Sequence, residues 1–176
     1  MKQILAFAGS NSKKSINKQL VIYAASLVED VDAYILDLND YELPLYSIDY
    51  ENEYGIPDNA HKFLKAINEA DGVLLSLAEH NGAYSAVFKN IFDWTSRING
   101  NFWGEKPMLL MATSPGARGG ASVLSIAQDR FPRHAANITG VFSLPSFKVN
   151  FSEQKIIDKT LNDELKKHIK VFNKAL

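Results

Sequence analysis

The stretch that decides the fold runs from residue 4 to residue 17 and reads Ile4-Leu5-Ala6-Phe7-Ala8-Gly9-Ser10-Asn11-Ser12-Lys13-Lys14-Ser15-Ile16-Asn17. Its first five residues are apolar and predict a buried β-strand. Apolar residues recur after it at about 3.6-residue spacing and predict a helix, at Leu20, Val21, Tyr23, Ala24, Leu27 and Val28. The polar loop between strand and helix therefore ends at a helix N-terminus. Unpaired backbone N–H groups and the helix dipole favour an anion there.

This loop predicts a phosphate-binding site, to which Ser10, Ser12 and Ser15 offer hydroxyl groups. The alternative is that Ser15 simply caps the helix, as serine commonly does. The loop lacks the Gly-x-x-x-x-Gly-Lys-Ser/Thr pattern of a P-loop and the Gly-x-Gly-x-x-Gly pattern of a dinucleotide site. The phosphate of a mononucleotide is the ligand that such a loop suits.

Composition excludes several other classes of protein. The chain has 176 residues, 46% of them apolar, which predicts a single domain over residues 1–176 with a full core. Its net charge is −1 with both signs interspersed, so no nucleic-acid surface is expected. No apolar run reaches the ~20 residues of a membrane span. With no secretory signal visible either, we expect a soluble, cytoplasmic protein.

Metal and thiol chemistry are not expected. There is no cysteine, so thiolate catalysis, disulfides and iron–sulfur sites are excluded. His61, His134 and His168 are scattered through the chain without metal-site spacing.

Strand and helix patterns alternate five times along the chain. Apolar runs predict strands at residues 4–8, 33–38, 73–77, 108–113 and 138–143, and periodic segments between and after them predict helices, including 121–134 and 161–174. This alternation predicts an α/β three-layer sandwich, with a five-stranded parallel sheet and helices on both faces. Residues 39–55 are predicted to form a long connection, and residues 146–151 to be extended or irregular.

Three loops rich in small and polar residues follow the first, third and fourth strands: residues 9–17, 78–85 and 114–120. Because the strands are predicted to be parallel, all three loops open at the carboxyl edge of the sheet. They are therefore predicted to form one binding site.

The motifs in these loops are Gly9-Ser10-x-x-x-x-Ser15-x-Asn17, Glu79-His80-Asn81-Gly82-Ala83-Tyr84-Ser85-Ala86-x-x-Lys89-Asn90-x-x-Asp93-Trp94 and Ser114-Pro115-Gly116-x-x-Gly119-Gly120. In them the chain resembles the NAD(P)H-dependent FMN reductase family, which includes quinone, azo-dye and chromate reductases. The resemblance covers most of the chain. It implies the flavodoxin-like fold with strand order 2-1-3-4-5, FMN as bound cofactor, NADPH or NADH as hydride donor, and a homodimer or homotetramer.

The resemblance also implies roles for the residues of the three loops. The residues that it places at the FMN phosphate are Ser10, Ser12, Ser15, Ile16 and Asn17. Those along one side of the isoalloxazine ring are Ala78, Glu79, His80, Asn81 and Gly82, and those on the other side are Ser114, Pro115, Gly116, Gly119 and Gly120. Arg118, on the rim of the third loop, is predicted to meet a phosphate of NAD(P)H; the alternative is a solvated arginine.

Three departures from the family pattern concern the cofactor site. Ser12 stands where family members commonly have an arginine, so either Lys13 or Lys14 substitutes for it or backbone amides alone neutralise the phosphate. The usual Pro-Glu-Tyr-Asn reads Ala78-Glu79-His80-Asn81 here, and Ser85 stands where a proline is common.

The resemblance implies transfer of hydride from a nicotinamide to flavin N5 and then to free flavin, a quinone or a similar small acceptor. The cofactor carries this chemistry, so no catalytic side chain is required; His80 is considered as an acid, with hydrogen bonding or packing as the alternative. An electron carrier or sensor that binds flavin is the second hypothesis, against which the near-zero net charge argues. Phe88, Phe92, Trp94 and the Phe102-Trp103 pair are predicted to form either core or a subunit interface.

Overall fold

A five-stranded parallel sheet forms the centre of the computed structural model, which describes all 176 residues. In chain order the strands are β1 Lys2–Gly9, β2 Val31–Leu36, β3 Gly72–Leu77, β4 Glu79–His80, β5 Ala83–Tyr84, β6 Pro107–Thr113, β7 Asn137–Leu144, β8 Phe151–Ser152 and β9 Lys155–Ile156. The central sheet has the order β2-β1-β3-β6-β7, and β4-β5 and β8-β9 are separate two-stranded hairpins. Counted within the sheet this is the predicted order 2-1-3-4-5, which is confirmed.

Helices cover both faces of the sheet. They are α1 Ile16–Ser26, α2 Ile48–Tyr54, α3 Asp58–Glu69, α4 Ala86–Ile98, α5 Ala121–Arg130, α6 Phe147–Asn150 and α7 Lys159–Ala175. α3, α4 and α5 pack on one face, and α1 and α7 on the other. Alternate residues of β1 enter the two cores, Leu5 and Phe7 on the first face and Ile4 and Ala6 on the second. The three-layer sandwich is therefore confirmed. None of the helices is both long and apolar enough to cross a bilayer.

Two local predictions were wrong for identifiable reasons. The helix predicted to reach residue 134 ends at Arg130, and a 3₁₀ turn follows over Phe131–His134, where Pro132 has no N–H to continue the α-helical pattern. The connection predicted over residues 39–55 contains α2, which has no buried residue and so gives no apolar periodicity to detect.

The C-terminal part also has more structure than predicted. Residues 147–150 form the short helix α6, and the β8-β9 hairpin follows it. Glu153 and Gln154 turn this hairpin with φ of 49° and 62°. Neither is a glycine or an asparagine, so the usual sequence signal of a tight hairpin turn is missing.

The large aromatic side chains belong to the core. Phe88, Phe92, Trp94, Phe102 and Trp103 are at most 6% exposed within a single chain. Phe88, Phe92 and Trp103 pack around Phe131, and Phe102 packs on Phe92 and Trp103. Trp94 packs apart from them, against Tyr46 and Tyr50. The first of the two predicted roles is therefore correct, and these residues do not form a subunit interface.

Candidate functional site: three loops at the carboxyl edge

The three loops that follow β1, β3 and β6 are joined by hydrogen bonds. The Ser85 hydroxyl donates to the carbonyl of Gly9 at 2.7 Å, which joins the second loop to the first. A carboxylate oxygen of Glu79 accepts from the backbone N–H of Val123 at 2.9 Å, which joins the second loop to the helix that follows the third. The predicted convergence of the loops is thus present in the structure.

The first loop presents unpaired donors at the start of α1. Ser15 caps the helix, because its Oγ accepts from Lys18 N at 3.1 Å. The backbone N–H groups that have no acceptor in the protein are those of Ser10, Asn11, Lys13, Ile16 and Asn17. Ser15 also keeps its hydroxyl proton for a ligand, so capping and ligand binding are compatible. This set of donors suits an anion.

Asn17 has a structural role that the sequence did not reveal. Its Oδ1 accepts from Thr113 N at 2.9 Å and from the Ser76 hydroxyl at 2.8 Å, and its Nδ2 donates to the Thr113 carbonyl at 3.2 Å. The residue is 3% exposed. Its side chain ties α1 to the ends of β3 and β6, and its backbone N–H is the group that remains for a ligand.

Two lysines within the first loop have no acidic partner. Lys13 and Lys14 are exposed and form no ion pair. Lys18, by contrast, lies 2.5 Å from an oxygen of Asp37, and this hydrogen bond lowers the pKa of the Asp37 carboxyl. Unpaired amides and unpaired ammonium groups are therefore both present where the usual arginine is missing.

The second loop is a tight β-hairpin. Asn81 and Gly82 form its two-residue turn with φ of 51° and 76°, the left-handed conformation for which an Asn-Gly pair is favoured. His80 is exposed beside the turn, and Ala78 is buried below it. A Cβ atom at Gly82 would meet no atom within 4 Å, so this backbone borders open space.

Tyr84 closes the hairpin, and its hydroxyl is buried without a hydrogen-bond partner. Burial raises the pKa of this phenol to about 12. The ring packs between Phe88 and Phe131.

The third loop has an open part and a packed part. Gly116 is exposed and a Cβ atom there would meet nothing, whereas Gly119 and Gly120 are buried with φ of 55° and 78°. A Cβ atom at Gly119 would lie 2.2 Å from Ser143 Oγ, so the packing there requires glycine. Ser114 is half-buried and residues 115–118 are exposed, so the loop is accessible from Ser114 to Arg118. Arg118 is exposed on the rim and donates to the Ser122 hydroxyl at 3.0 Å.

A cleft of 490 Å³ opens beside the first loop, and sequence reasoning missed its walls. They are residues 38–45 and the first turns of α4, with Asn11 at the margin. Most of the lining is apolar. The run Leu43-Pro44-Leu45-Tyr46 was the available signal, because it is apolar within an otherwise polar connection.

The second motif holds this cleft wall in place. Asn90 Oδ1 accepts from Tyr46 N at 2.9 Å, and its Nδ2 donates to the Pro44 carbonyl at 3.0 Å. Trp94 Nε1 donates to the same carbonyl at 2.7 Å. Lys89 and Asp93 pair with each other on the outer face of α4. Asn90 and Trp94 of the Lys-Asn-x-x-Asp-Trp pattern therefore hold residues 43–46 against α4.

The residues at this edge fit an FMN molecule. Unpaired amides, hydroxyls and two lysines suit its phosphate. Gly82 and Gly116 present open backbone on the two loops that the sequence assigned to the ring, and glycine lets a flat ligand approach closely. No group of His, Asp or Glu side chains could hold a metal ion.

Comparison with known proteins identifies the class of protein to which this chain is similar. A model of the NADPH-dependent FMN reductase family matches residues 2–149. The chain is 33% identical to a 2-hydroxy-1,4-benzoquinone reductase of a Burkholderia species, over 97% of this chain and 91% of that protein. It is 32% identical to the quinone reductase of Escherichia coli K12, over 68% of this chain and 63% of that protein.

Among solved structures, the fold matches FerB, described as a flavoenzyme NAD(P)H:(acceptor) oxidoreductase, from Paracoccus denitrificans. The TM-score is 0.79 at 24% identity, and the match covers 99% of this chain and 97% of FerB.

Fold and site together define a flavodoxin-like reductase. The chain belongs to the NADPH-dependent FMN reductase family, as its sequence motifs had indicated. It is accordingly an FMN-dependent NAD(P)H oxidoreductase, with FMN and NAD(P)H as cofactors. Because the chain belongs to this family, the enzyme hypothesis is supported over the electron carrier or sensor.

Proposed function

We propose that this enzyme reduces small quinones with electrons from NAD(P)H, through FMN bound at the carboxyl edge of the sheet. The observation that carries the proposal is the set of unpaired N–H groups at the start of α1, beside two loops with open glycine backbone. The activity named for the Burkholderia relative supports a quinone as acceptor, because the similarity extends over 97% of this chain.

In this proposal the first loop holds the FMN phosphate. The hydroxyls of Ser10, Ser12 and Ser15 and the backbone N–H groups of Ile16 and Asn17 donate to its oxygens. Lys13 and Lys14 supply the positive charge. The packing of Asn17 against β3 and β6 keeps these donors in position before any ligand arrives.

The other two loops enclose the ring and the nicotinamide. Residues 78–82 lie along one side of the ring and Ser114–Gly116 along the other, while Gly119 and Gly120 fix the shape of the third loop. Arg118 pairs with a phosphate of NAD(P)H. When bound, FMN supplies the chemistry, which is to take a hydride from NAD(P)H and give two electrons to the acceptor.

Reduction of a quinone to a hydroquinone also takes up protons. His80 is exposed on the hairpin, where an imidazole can serve as a proton donor to the acceptor. Solvent is the other source, so His80 assists the reaction and is not required for hydride transfer.

The proposal includes a single domain over residues 1–176, a cytoplasmic location and a homodimer or homotetramer. Leu45, Ile48 and Tyr54 support association of subunits, because they are 80%, 50% and 65% exposed on one segment. Light scattering on the purified protein measures the state directly.

The activity is tested by anaerobic titration of the FMN-loaded protein with NADPH and, separately, NADH. Bleaching of the flavin absorbance, followed by its return when 1,4-benzoquinone is added, is the expected result. Absence of bleaching by either nucleotide contradicts the reductase reaction. Bleaching without recovery contradicts a quinone as the electron acceptor but not the reduction of FMN by NAD(P)H.

The location is tested by filling the open part of the third loop. Gly116→Leu should fold normally and lose FMN binding by at least about tenfold, since a Cβ atom at this position meets no protein atom and the larger side chain would occupy space that the proposal gives to the ring. Gly100→Leu is the matched control, because a Cβ at Gly100 also meets nothing but lies outside the three loops. Equal FMN affinity in the two variants would contradict the proposed position of the isoalloxazine ring beside Gly116.

A further inference from the structure

Helix α5 begins without a capping side chain of its own. Its N-cap is Gly120, in the left-handed conformation with φ of 78°. A Cβ atom at this position would lie 2.7 Å from the Cβ of Ala112, so the serine, aspartate or asparagine that usually caps a helix does not fit. The first N–H groups of α5 therefore need an acceptor from another part of the chain.

Glu79 supplies that acceptor from the second loop. Its Oε2 accepts from Val123 N, on the first turn of α5, at 2.9 Å, although the two residues are 44 positions apart. A carboxylate is also the charge that a helix N-terminus favours. Glu79 lies on β4 and pairs with Tyr84 of β5. The contact between Glu79 and α5 therefore holds both strands of the hairpin.

We propose that Glu79 is a positioning residue that fixes the second loop against the third and thereby sets the width of the ring pocket. The third loop runs directly into α5, so a helix start held by Glu79 also fixes the end of that loop. The loop is held from the opposite side by Ser143, whose hydroxyl donates to the Gly119 carbonyl at 2.9 Å, and by Ser146, whose N–H donates to the Gly116 carbonyl at 2.9 Å. The consequence for FMN rests on the proposed function; the coupling of the loops does not.

Two substitutions that keep the length of the side chain separate the effect of the hydrogen bond from the effects of charge and size. Glu79→Gln and Glu79→Met both remove the charge, but only glutamine retains an oxygen that can accept from Val123 N. In the protein without FMN, hydrogen exchange over residues 114–124 should be about tenfold faster in Glu79→Met than in the wild type. Glu79→Gln should stay within about threefold of the wild type.

Binding of FMN should follow the same order. We expect the Kd to rise about tenfold in Glu79→Met and to be largely restored in Glu79→Gln. Asp158→Ala is the control: Asp158 caps α7 in the same way, accepting from Leu161 N at 2.8 Å, but α7 contributes no residue to the three loops. It should lower stability without changing exchange over residues 114–124 or the Kd.

Three results would overturn the proposal. They are wild-type exchange in Glu79→Met, equal changes in Glu79→Met and Glu79→Gln, and a rise in the Kd for Asp158→Ala that matches Glu79→Met. If the wild-type protein binds no FMN, the proposed function fails, while the exchange measurements still decide whether Glu79 couples the loops. Circular dichroism on each variant establishes that the fold is retained.

Discussion

At the scale of single residues, Asn17 shows how a buried polar side chain can hold a loop in place through hydrogen bonds within the protein. Its amide makes three hydrogen bonds to Thr113 and Ser76, and one partner lies 96 positions away. These bonds fix the start of α1 relative to the strands that carry the other loops. The donors of the first loop are thus ordered in advance, which reduces the entropy that binding must overcome.

Replacing Asn17 should therefore damage the fold before it damages any ligand contact. Asn17→Ala leaves buried groups of Thr113 and Ser76 unpaired, so we expect the free energy of unfolding to fall by about 2–4 kcal/mol. Urea unfolding of the protein without FMN measures this. Ser10→Ala, on the same loop but partly exposed, should change it by less than about 0.5 kcal/mol. Similar values for both variants would contradict the role assigned to Asn17.

Tyr84 gives a prediction of the opposite sign. Its buried hydroxyl has no partner, so Tyr84→Phe should raise the free energy of unfolding by about 1 kcal/mol. Tyr46→Phe is the control, since the Tyr46 hydroxyl donates to Glu51 at 3.0 Å and its loss should lower stability. A destabilised Tyr84→Phe would mean that the hydroxyl has a partner.

The same phenol should affect stability in alkali. Its pKa is about 12 in the folded protein against an ordinary value of 10, so the unfolded chain releases this proton first. Below pH 10 this phenol is protonated in both states and does not change stability with pH; above it the free energy of unfolding falls as the pH rises through about 12, because only the unfolded chain ionises readily. Tyr84→Phe should lose this part of the pH dependence, which unfolding curves measured across that window would detect.

At the scale of elements, α4 supports the cleft as well as the core. Its inner face carries Phe88 and Phe92 into the core, while Asn90 and Trp94 bind the backbone of residues 44 and 46. The cleft wall is thus attached to a rigid helix, although it is formed by an irregular segment.

Removing one of these hydrogen bonds should make the cleft wall more mobile without affecting the rest of the fold. Asn90→Ala should speed hydrogen exchange over residues 43–54 and lower the free energy of unfolding by about 1–2 kcal/mol, because the Tyr46 N–H loses its acceptor. Lys89→Ala, the preceding residue in an exposed ion pair with Asp93, should change stability by less than about 0.5 kcal/mol. If exchange over residues 43–54 is the same in both variants, Asn90 does not hold the wall.

Elements with a continuous apolar pattern were predictable, and the others were not. β3 and β6 are buried on both faces and appear in the sequence as apolar runs, interrupted in β3 only by Ser76. Helix α2 buries nothing, and the hairpin at Glu153 has no glycine, so neither has a local signal. In the site, the three loops could be located from strand order, but the side-chain roles of Asn17 and Glu79 depend on partners distant in sequence.

At the scale of the whole molecule, the parallel sheet determines where the site can be. Right-handed crossovers bring the ends of β1, β3 and β6 to one edge, and the reversal of winding beside β1 opens a crevice there. Backbone amides, open glycines and unpaired lysines all lie on this edge. The architecture thus accounts for how the proposed mononucleotide site is assembled from residues that are far apart in the chain.

The most direct test of this account compares the affinity of the protein for FMN and for riboflavin, which differ only in the phosphate. If the start of α1 binds that phosphate, FMN should bind at least about a hundredfold more tightly, since two or more charge-assisted hydrogen bonds are lost with riboflavin. The advantage should shrink in a Lys13→Ala, Lys14→Ala double variant. Equal affinity of the wild-type protein for the two flavins would contradict the phosphate site and the orientation of the cofactor that depends on it.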